Sequence, residues 1–128
     1  MYLEATVNWM DAVHLKTVLC VDDEQIGLRV RKLMLEGHGF NVLTASSGQQ
    51  GLELFDQNHV DVVVLDYYMP GLNGAQVAAE LRRRRADIPI IFFSAYFSLP
   101  PEALEKANAF ITKGDPPEVL IEKIEQLM

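Results

Sequence analysis

The chain has 128 residues, a formal net charge of -7 and a pI near 4.8, and 49% of its residues are hydrophobic. This length suits one ordinary domain, and the hydrophobic fraction is high enough for a core, which excludes an intrinsically disordered chain. The acidic balance argues against nucleic acid and anionic membrane surfaces as partners.

The sequence carries no recognisable membrane span or secretion signal. No stretch approaches the roughly twenty hydrophobic residues that cross a bilayer, and Glu4, Asn8 and Asp11 interrupt the N-terminus where a signal peptide is apolar. Cys20 is the single cysteine and lies in a hydrophobic run, so we expect a buried core thiol and no intramolecular disulfide. These features predict a soluble protein in a reducing cytoplasm, with no membrane insertion.

Short hydrophobic runs alternate with amphipathic segments from Lys16 onward. The first half of the chain predicts strand 17–21, helix 25–36, strand 40–45 and helix 48–57. Hydrophobic residues near helical spacing in the first helix are Ile26, Leu28, Val30, Leu33, Met34 and Leu35. We therefore expect that helix to pack on the sheet through this set.

The second half of the chain continues the alternation. It predicts strand 61–66, helix 75–85, strand 88–93, a short helix after Pro100 and Pro101 that runs to about 107, strand 109–112 and helix 118–128. The unbroken run Val62–Leu65 is typical of a strand that is covered on both faces. Basic residues at 82–85 close a helix, where positive charge complements the helix dipole, so they do not indicate nucleic-acid binding.

Five strands alternating with five helices predict an α/β fold, a doubly wound parallel sheet with helices on both faces. We take the strand order 2-1-3-4-5 from known flavodoxin-like folds, in which the site lies beyond the carboxyl ends of the strands. The domain occupies residues 16–128. Residues 1–15 are an N-terminal extension of unknown role: their weakly amphipathic pattern fits a helix that packs on the domain or on a partner, and equally a start-site or cloning extension.

Acidic residues follow two strands that this fold places side by side. Asp22 and Asp23 end the first strand, and Asp66 ends the third. Three converging carboxylates repel one another unless a cation lies among them. Hard oxygen ligands without a histidine or cysteine cluster favour Mg²⁺. The alternative is a solvated strand-to-helix turn in which one acid caps the helix.

A hydroxyl and an ammonium group follow two further strands. Ser94 ends the fourth strand and Lys113 follows the fifth. Each alone is typical of a turn or of the surface. Together with the acids they give one sheet edge a carboxylate nucleophile, a cation site, a hydroxyl donor and a fixed positive charge, which phosphoryl transfer requires.

These motifs resemble the receiver domains of two-component response regulators. The segments that carry the resemblance are Val21–Glu24, Leu65–Gly71 with Asn73-Gly74, Ser94-Ala95 and Phe110–Lys113. The resemblance runs from about Lys16 to Met128, and the motifs are highly specific when taken jointly.

The resemblance implies a role for each matched residue. Asp66 is the expected phosphoacceptor, served by a sensor histidine kinase or a phosphotransfer protein. Asp23, Asp66 and the backbone carbonyl of Tyr68 are the expected Mg²⁺ ligands, and Asp22 acts through water.

The resemblance also assigns the remaining matched positions. Ser94 would hydrogen-bond one phosphoryl oxygen, and Lys113 would neutralise another. Phe110 matches the switch aromatic, which turns inward as the hydroxyl moves toward the phosphoryl group and so changes the affinity for a downstream protein target.

The sequence departs from the family pattern in three places. Gly114 follows Lys113 where the family usually has a proline in a cis peptide bond. The spacing from Ser94 to Lys113 is short, so we expect a stunted fourth helix on the usual output face. Tyr67 and Tyr68 are large residues beside the nucleophile.

Tyrosines border the predicted approach of water to the phosphoryl group. They stand two residues after the acceptor, at Tyr68, and two residues after the hydroxyl residue, at Tyr96. We expect the two rings to exclude or misorient water and to slow dephosphorylation. The alternative is that both point to solvent and serve only as partner contacts.

The favoured function is a phosphorylation-dependent binding switch that is not an enzyme beyond its own phosphorylation and dephosphorylation. One alternative is a Mg²⁺-dependent phosphatase or phosphotransferase on a similar sheet. Such enzymes generally need a second acid two residues beyond the nucleophile, where this chain has Tyr68. The other alternative is a receiver fragment of a longer regulator with a separate output domain.

Overall fold

The computed structural model describes residues 15–96 and 98–128. The strands are β1 Thr17–Val21, β2 Asn41–Ala45, β3 Val62–Leu65, β4 Ile90–Ser94 and β5 Ala109–Thr112. The helices are α1 Gln25–Gly37, α2 Gly48–Gln57, α3 Gly74–Arg84, α4 Pro101–Leu104 and α5 Pro117–Leu127. The predicted alternation is confirmed. Except for Leu15, the N-terminal extension lies outside the described residues.

All neighbouring strands are parallel, in the order β2-β1-β3-β4-β5. The predicted doubly wound, flavodoxin-like α/β fold is thereby confirmed. The strand order reverses between β1 and β3, which makes this the point where such sheets form their sites. Val21 pairs with Leu65, so the residues that follow them, Asp22 and Asp66, emerge side by side.

Two hydrophobic layers cover the sheet, and alternate residues of β1 point into each. Leu19 and Val21 join the layer under α2, α3 and α4, whereas Val18 and Cys20 join the layer under α1 and α5. Every residue of β1 and β3 is buried. Cys20 is fully buried as expected, and burial raises the pKa of its thiol to about 12, which leaves it unreactive.

The buried face of α1 differs from the prediction. Its buried residues are Leu28, Arg31 and Leu35, whereas Ile26, Val30 and Leu33 are 77%, 62% and 70% exposed. The helix contains two hydrophobic stripes, and the sheet covers only one of them. Helical spacing alone could not show which stripe faces the sheet.

The fourth helix is even shorter than predicted. α4 ends at Leu104 instead of near 107 because the chain tightens into turns: the backbone N–H groups of Lys106 and Ala107 donate to carbonyls only three residues earlier. Ala103 alone in this helix is buried. The expected stunting of this helix is therefore present.

Arg82 ties the short α4 region to the rest of the domain. Its Nε donates to the Lys106 carbonyl at 3.2 Å, and Nη2 donates to Asn108 Oδ1 at 2.8 Å. Nη1 also donates to the Ile88 carbonyl. The first residue of the basic run is therefore a structural anchor and not a free surface charge. No helix in the described residues is long and apolar enough to cross a membrane.

Candidate functional site

Asp22 is held at the end of β1 by backbone and side-chain contacts. Its backbone N–H donates to the Ala45 carbonyl at 3.0 Å, which extends the β1–β2 pairing by one residue. Its Oδ1 accepts the Glu24 backbone N–H at 2.9 Å, at the start of α1. The residue is 1% exposed, so its other oxygen, Oδ2, needs partners within the protein.

Asp66 occupies the corresponding position after β3. Its backbone N–H donates to the Val21 carbonyl at 2.9 Å, and the residue is 7% exposed. Burial, followed by the negative charge of Asp22, raises the pKa of Asp66 to about 6, although the charge of Lys113 works in the opposite direction. The two aspartates thus compete for positive charge at this sheet edge.

Lys113 supplies that positive charge to both aspartates. Its Nζ lies 2.6 Å from Asp22 Oδ2 and 3.5 Å from Asp66 Oδ2. The Lys113 backbone N–H donates to the Ser94 carbonyl at 2.7 Å, which fixes the end of β5 against β4. The lysine reaches the site although glycine follows it at 114.

A second cation, on α1, also contacts Asp22. Arg31 Nη2 donates to Asp22 Oδ2 at 3.3 Å, and the Arg31 guanidinium carbon lies 4.6 Å from the centre of the Phe93 ring. Burial by itself would raise the pKa of Asp22. The hydrogen bonds from Lys113 and Glu24 and the charges of Lys113 and Arg31 outweigh it, so that the pKa is lowered.

The three predicted acids form a group that fits a metal ion. Asp22, Asp23 and Asp66 each offer a carboxylate oxygen, and these oxygens all lie within 4.8 Å of one another. Mg²⁺ binds oxygens at about 2.1 Å, so two of its ligands lie at most about 4.2 Å apart. A small inward movement brings the set to that size. Asp23 is exposed and leaves room for water ligands, which Mg²⁺ usually keeps. The Tyr68 carbonyl stays a prediction as a fourth ligand.

Ser94 and Phe110 also lie at this part of the sheet. Ser94 is fully buried at the end of β4, and its Oγ accepts the Tyr96 backbone N–H at 3.2 Å. Phe110 pairs with Phe92 across β4 and β5, and its half-buried ring packs against the layer under α2, α3 and α4. Their predicted roles in switching stay predictions.

Three tyrosines form a continuous aromatic group beside Asp66. The Tyr67 and Tyr68 ring centres are 4.7 Å apart, and those of Tyr68 and Tyr96 are 4.4 Å apart. Tyr67 also packs edge-on against Phe92 at 5.8 Å. Tyr68 and Tyr96 are 45% and 57% exposed. The rings thus touch one another while keeping one side in solvent.

The N-terminus of α3 packs directly on the loop that carries Asp66. Gly74 donates its backbone N–H to the Tyr67 carbonyl at 2.7 Å. A Cβ at this position would lie 2.6 Å from Tyr67 Cα and 2.7 Å from the Asp66 carbonyl oxygen, so only glycine fits without a shift. Asn73 caps the helix in a reciprocal pair with Gln76.

The structure brings the predicted acids together with Lys113 and places Ser94 and Phe110 on the neighbouring strands. Sequence reasoning missed Arg31. A signal was available, because Arg31 stands between Leu28 and Leu35 at the spacing of a buried helical stripe. The close packing of Gly74 was also missed, since the Asn-Gly pair was used only as part of a motif.

Known proteins share this sequence pattern. The family model described as the response regulator receiver domain matches residues 18–125. The transcriptional regulatory protein RprY of Bacteroides fragilis is 35% identical over 118 residues, which are 89% of this chain and 49% of that protein. The transcriptional regulatory protein GlrR of Escherichia coli is 30% identical over 114 residues, 87% of this chain and 26% of that protein. The chain thus spans about half or less of these curated relatives.

Solved structures share the fold at similar levels of identity. The response regulator TrrA of Thermotoga maritima, crystallised with Mg²⁺ and BeF, has a TM-score of 0.85 and 32% identity, covering 89% of this chain and all of that one. A structure of histidine kinase ThkA in complex with TrrA gives a TM-score of 0.82 and 31% identity, covering 89% of this chain and 99% of that one.

Proposed function

Because the chain belongs to the response regulator receiver family, we propose that it is a phosphorylation-dependent switch in which Asp66 accepts a phosphoryl group from a phosphohistidine donor. The surroundings of the Asp66 carboxylate carry this proposal. It is buried at the sheet edge, groups with Asp22 and Asp23, and lies 3.5 Å from Lys113 Nζ. A carboxylate nucleophile beside fixed positive charge suits phosphoryl transfer, in which the phosphoryl oxygens need positive partners.

In the proposed reaction, a carboxylate oxygen of Asp66 attacks phosphorus, and the bond from phosphorus to the donor imidazole nitrogen breaks. The imidazole leaves with the electron pair of that bond, and Asp66 becomes an acyl phosphate. Lys113 neutralises one phosphoryl oxygen, and the Ser94 hydroxyl donates to another. Mg²⁺, held by Asp23, Asp66 and the Tyr68 carbonyl with Asp22 acting through water, would supply further positive charge to these oxygens.

The contact that Ser94 makes in this structure supports the proposed switch. Its Oγ accepts the Tyr96 backbone N–H, so movement of the hydroxyl toward a phosphoryl oxygen breaks that bond and frees the segment after β4. The half-buried Phe110 then turns inward, and a downstream protein target binds the altered surface more tightly. A ligand shifts such an equilibrium only through its different affinities for the two states.

The exposed stripe on α1 suits the phosphodonor. Ile26, Val30 and Leu33 lie one helical turn apart along the solvent face, and α1 begins just after Asp22 and Asp23. A groove beside Ile26 and Val30 extends to Phe93 and Pro117. A phosphohistidine must approach Asp66 to bonding distance, so its protein has to contact elements at this edge. We propose that the sensor histidine kinase or phosphotransfer protein lays a helix along the stripe.

A second possibility is that these residues are the receiver of a longer regulator. The relatives favour it, because the match covers only 49% of the length of RprY and 26% of the length of GlrR. Their names describe transcriptional regulators. Within the proposal, the residues of this chain switch a protein contact and make no direct nucleic-acid contact. The same proposal includes a cytoplasmic location. Histidine kinases make their phosphohistidine from ATP, which is found in the cytoplasm, so their phosphoacceptor has to be there too.

Catalysis by the chain is proposed to be limited to its own phosphorylation and dephosphorylation. A phosphatase or phosphotransferase mechanism lacks its general acid here, because Tyr68 occupies the second position after the nucleophile.

Intact-mass measurement after incubation with acetyl phosphate and Mg²⁺ tests the proposal. The unsubstituted chain should gain one phosphoryl group, and Asp66→Asn should gain none. Asp23→Ala should react slowly. Equal modification of the unsubstituted chain and Asp66→Asn would contradict the assignment of Asp66.

A further inference from the structure

Arg31 is a buried cation that the proposed function does not use. It is 7% exposed on the inner face of α1, between Leu28 and Leu35. Removing a guanidinium from water is costly unless charged or aromatic partners replace the water. Arg31 has two such partners among the described residues, the Asp22 carboxylate at 3.3 Å and the face of the Phe93 ring at 4.6 Å.

The two cations at Asp22 differ in their freedom to move. Lys113 Nζ lies 2.6 Å from Asp22 Oδ2, at the end of a flexible side chain that also lies 3.5 Å from Asp66. The Arg31 guanidinium is planar and is fixed between the Phe93 ring and the carboxylate. Lys113 can therefore move toward Asp66, whereas Arg31 cannot follow it.

Phosphorylation of Asp66 would draw Lys113 to the phosphoryl oxygens and away from Asp22. Asp22 is 1% exposed, so bulk solvent does not replace the lost partner. We propose that Arg31 is a positioning residue that stays on Asp22 as its permanent cation, holds that carboxylate in place when Lys113 leaves, and weakens Mg²⁺ binding by its charge. This inference rests on the proposed function.

The structure supports both parts of the inference. Asp22 Oδ1 accepts the Glu24 backbone N–H at 2.9 Å, and both Arg31 and Lys113 contact Oδ2 of this carboxylate, which belongs to the group of acids that fits a metal ion. The fixed positive charge of Arg31 beside this carboxylate repels a divalent cation that binds there. The same charge helps to lower the pKa of Asp22.

Calorimetric titration of MgCl₂ into the complete chain tests the inference. Arg31→Met and Arg31→Gln should bind Mg²⁺ roughly tenfold more tightly, because a nearby positive charge is removed. Arg31→Lys, which keeps the charge, should stay within about threefold of the unsubstituted chain. Arg29→Met is the matched control, since it removes an exposed charge from the same helix without contacting Asp22.

A second measurement follows phosphorylation by acetyl phosphate at saturating Mg²⁺. Arg31→Met and Arg31→Gln should react roughly tenfold more slowly despite their tighter metal binding, because Asp22 has lost its permanent positive charge. A role in packing alone would not produce this opposite pair of changes. Arg31→Gln keeps a hydrogen-bond donor at Asp22, so it preserves the test if Arg31→Met does not fold.

The inference is overturned if folded Arg31→Gln binds Mg²⁺ with unchanged affinity, or if Arg29→Met tightens binding as much. It is also overturned if the rate at saturating Mg²⁺ does not fall. Failure of the proposed function looks different. In that case the unsubstituted chain itself takes no phosphoryl group, whatever the Arg31 variants do to metal binding.

Discussion

The rings of Tyr68 and Tyr96 contact each other, with their centres 4.4 Å apart and their planes inclined by 56°. One ring follows Asp66 by two residues, and the other follows Ser94 by two residues. The contact joins the segments that follow β3 and β4. It supports a gate against water, and the exposure of both rings also leaves them available to a partner.

The gate predicts slow spontaneous dephosphorylation. Tyr68→Asn and Tyr96→Ala should each speed the loss of the acyl phosphate by roughly tenfold, because removing a ring opens the in-line path for water. Loss of the phosphoryl group can be followed by intact mass after the donor is removed. Tyr96→Phe is the control, since it keeps the ring and should decay slowly. If neither ring removal speeds decay, the tyrosines do not form a gate.

The raised pKa of Asp66 predicts how stability depends on pH without metal. Since this pKa is about 6 against an ordinary 3.8, the folded protein holds the proton more tightly than the unfolded chain. Stability contributed by protonated Asp66 is complete below about pH 4 and is lost as pH rises through about 6. Asp66→Asn should therefore raise the free energy of unfolding at pH 7.5 by about 1 to 3 kcal/mol.

Urea unfolding in EDTA at pH 4 and pH 7.5 measures this effect. The advantage of Asp66→Asn should be small at pH 4 and larger at pH 7.5. Asp87→Asn is the control, because the Asp87 side chain is 90% exposed. An advantage that is the same at both pH values would show that the ionised carboxylate does not destabilise the fold.

Asp23→Ala should weaken Mg²⁺ binding by at least about tenfold while the domain stays folded, because one carboxylate ligand is lost. Asp23 is exposed and belongs to a group of three acids, so its removal relieves repulsion, and the metal-free stability should hold or rise. Calorimetry with MgCl₂ and thermal unfolding in EDTA measure the two effects. Unchanged Mg²⁺ affinity would indicate that the acids are only a solvated turn.

Gly74→Ala should destabilise the fold by about 2 kcal/mol or more, because its Cβ meets the backbone of Tyr67 and Asp66. Since the displaced atoms belong to the Asp66 loop, Mg²⁺ binding should weaken too. Gly37→Ala serves as a control, because its added Cβ would lie within 4 Å of no atom beyond its chain neighbours and the backbone of its own helix. Equal unfolding midpoints for the two variants would contradict close packing at Gly74.

The strands were predictable because the sheet is buried on both faces, whereas their order was taken from known flavodoxin-like folds. The run Val62–Leu65 has no polar residue, and all four residues are buried. The acids and Lys113 were predictable for a related reason: each comes directly after such a run, and parallel strands end at one edge. Their positions at the strand ends, combined with the adopted strand order, predicted that Asp22, Asp66 and Lys113 lie together.

The face of α1 and the end of α4 were not predictable in the same way. Arg31 can be buried because the Asp22 carboxylate and the Phe93 ring contact its guanidinium group. Phe93 is distant in sequence, so this contact could not be predicted from the sequence of α1. Ile26 and Val30 are hydrophobic but exposed, so hydrophobicity alone did not distinguish the stripe that faces the sheet from the one that faces solvent. The end of α4 depends on turns near Lys106. Arg82, on α3, donates a hydrogen bond to the Lys106 carbonyl and so holds these turns.

The hydrogen bond from the Glu24 backbone N–H to Asp22 Oδ1 has a consequence for how the site can be observed. The Asp22 carboxylate accepts the Glu24 amide proton with Oδ1 and contacts Arg31 and Lys113 with Oδ2. A change of charge at Oδ2 therefore alters the strength of the hydrogen bond from the Glu24 amide. The rate at which the Glu24 amide proton exchanges with deuterated water therefore reports on the strength of this hydrogen bond. Measured with and without Mg²⁺ and acetyl phosphate, it reports whether Asp22 keeps its position under the proposed function, without any attached probe.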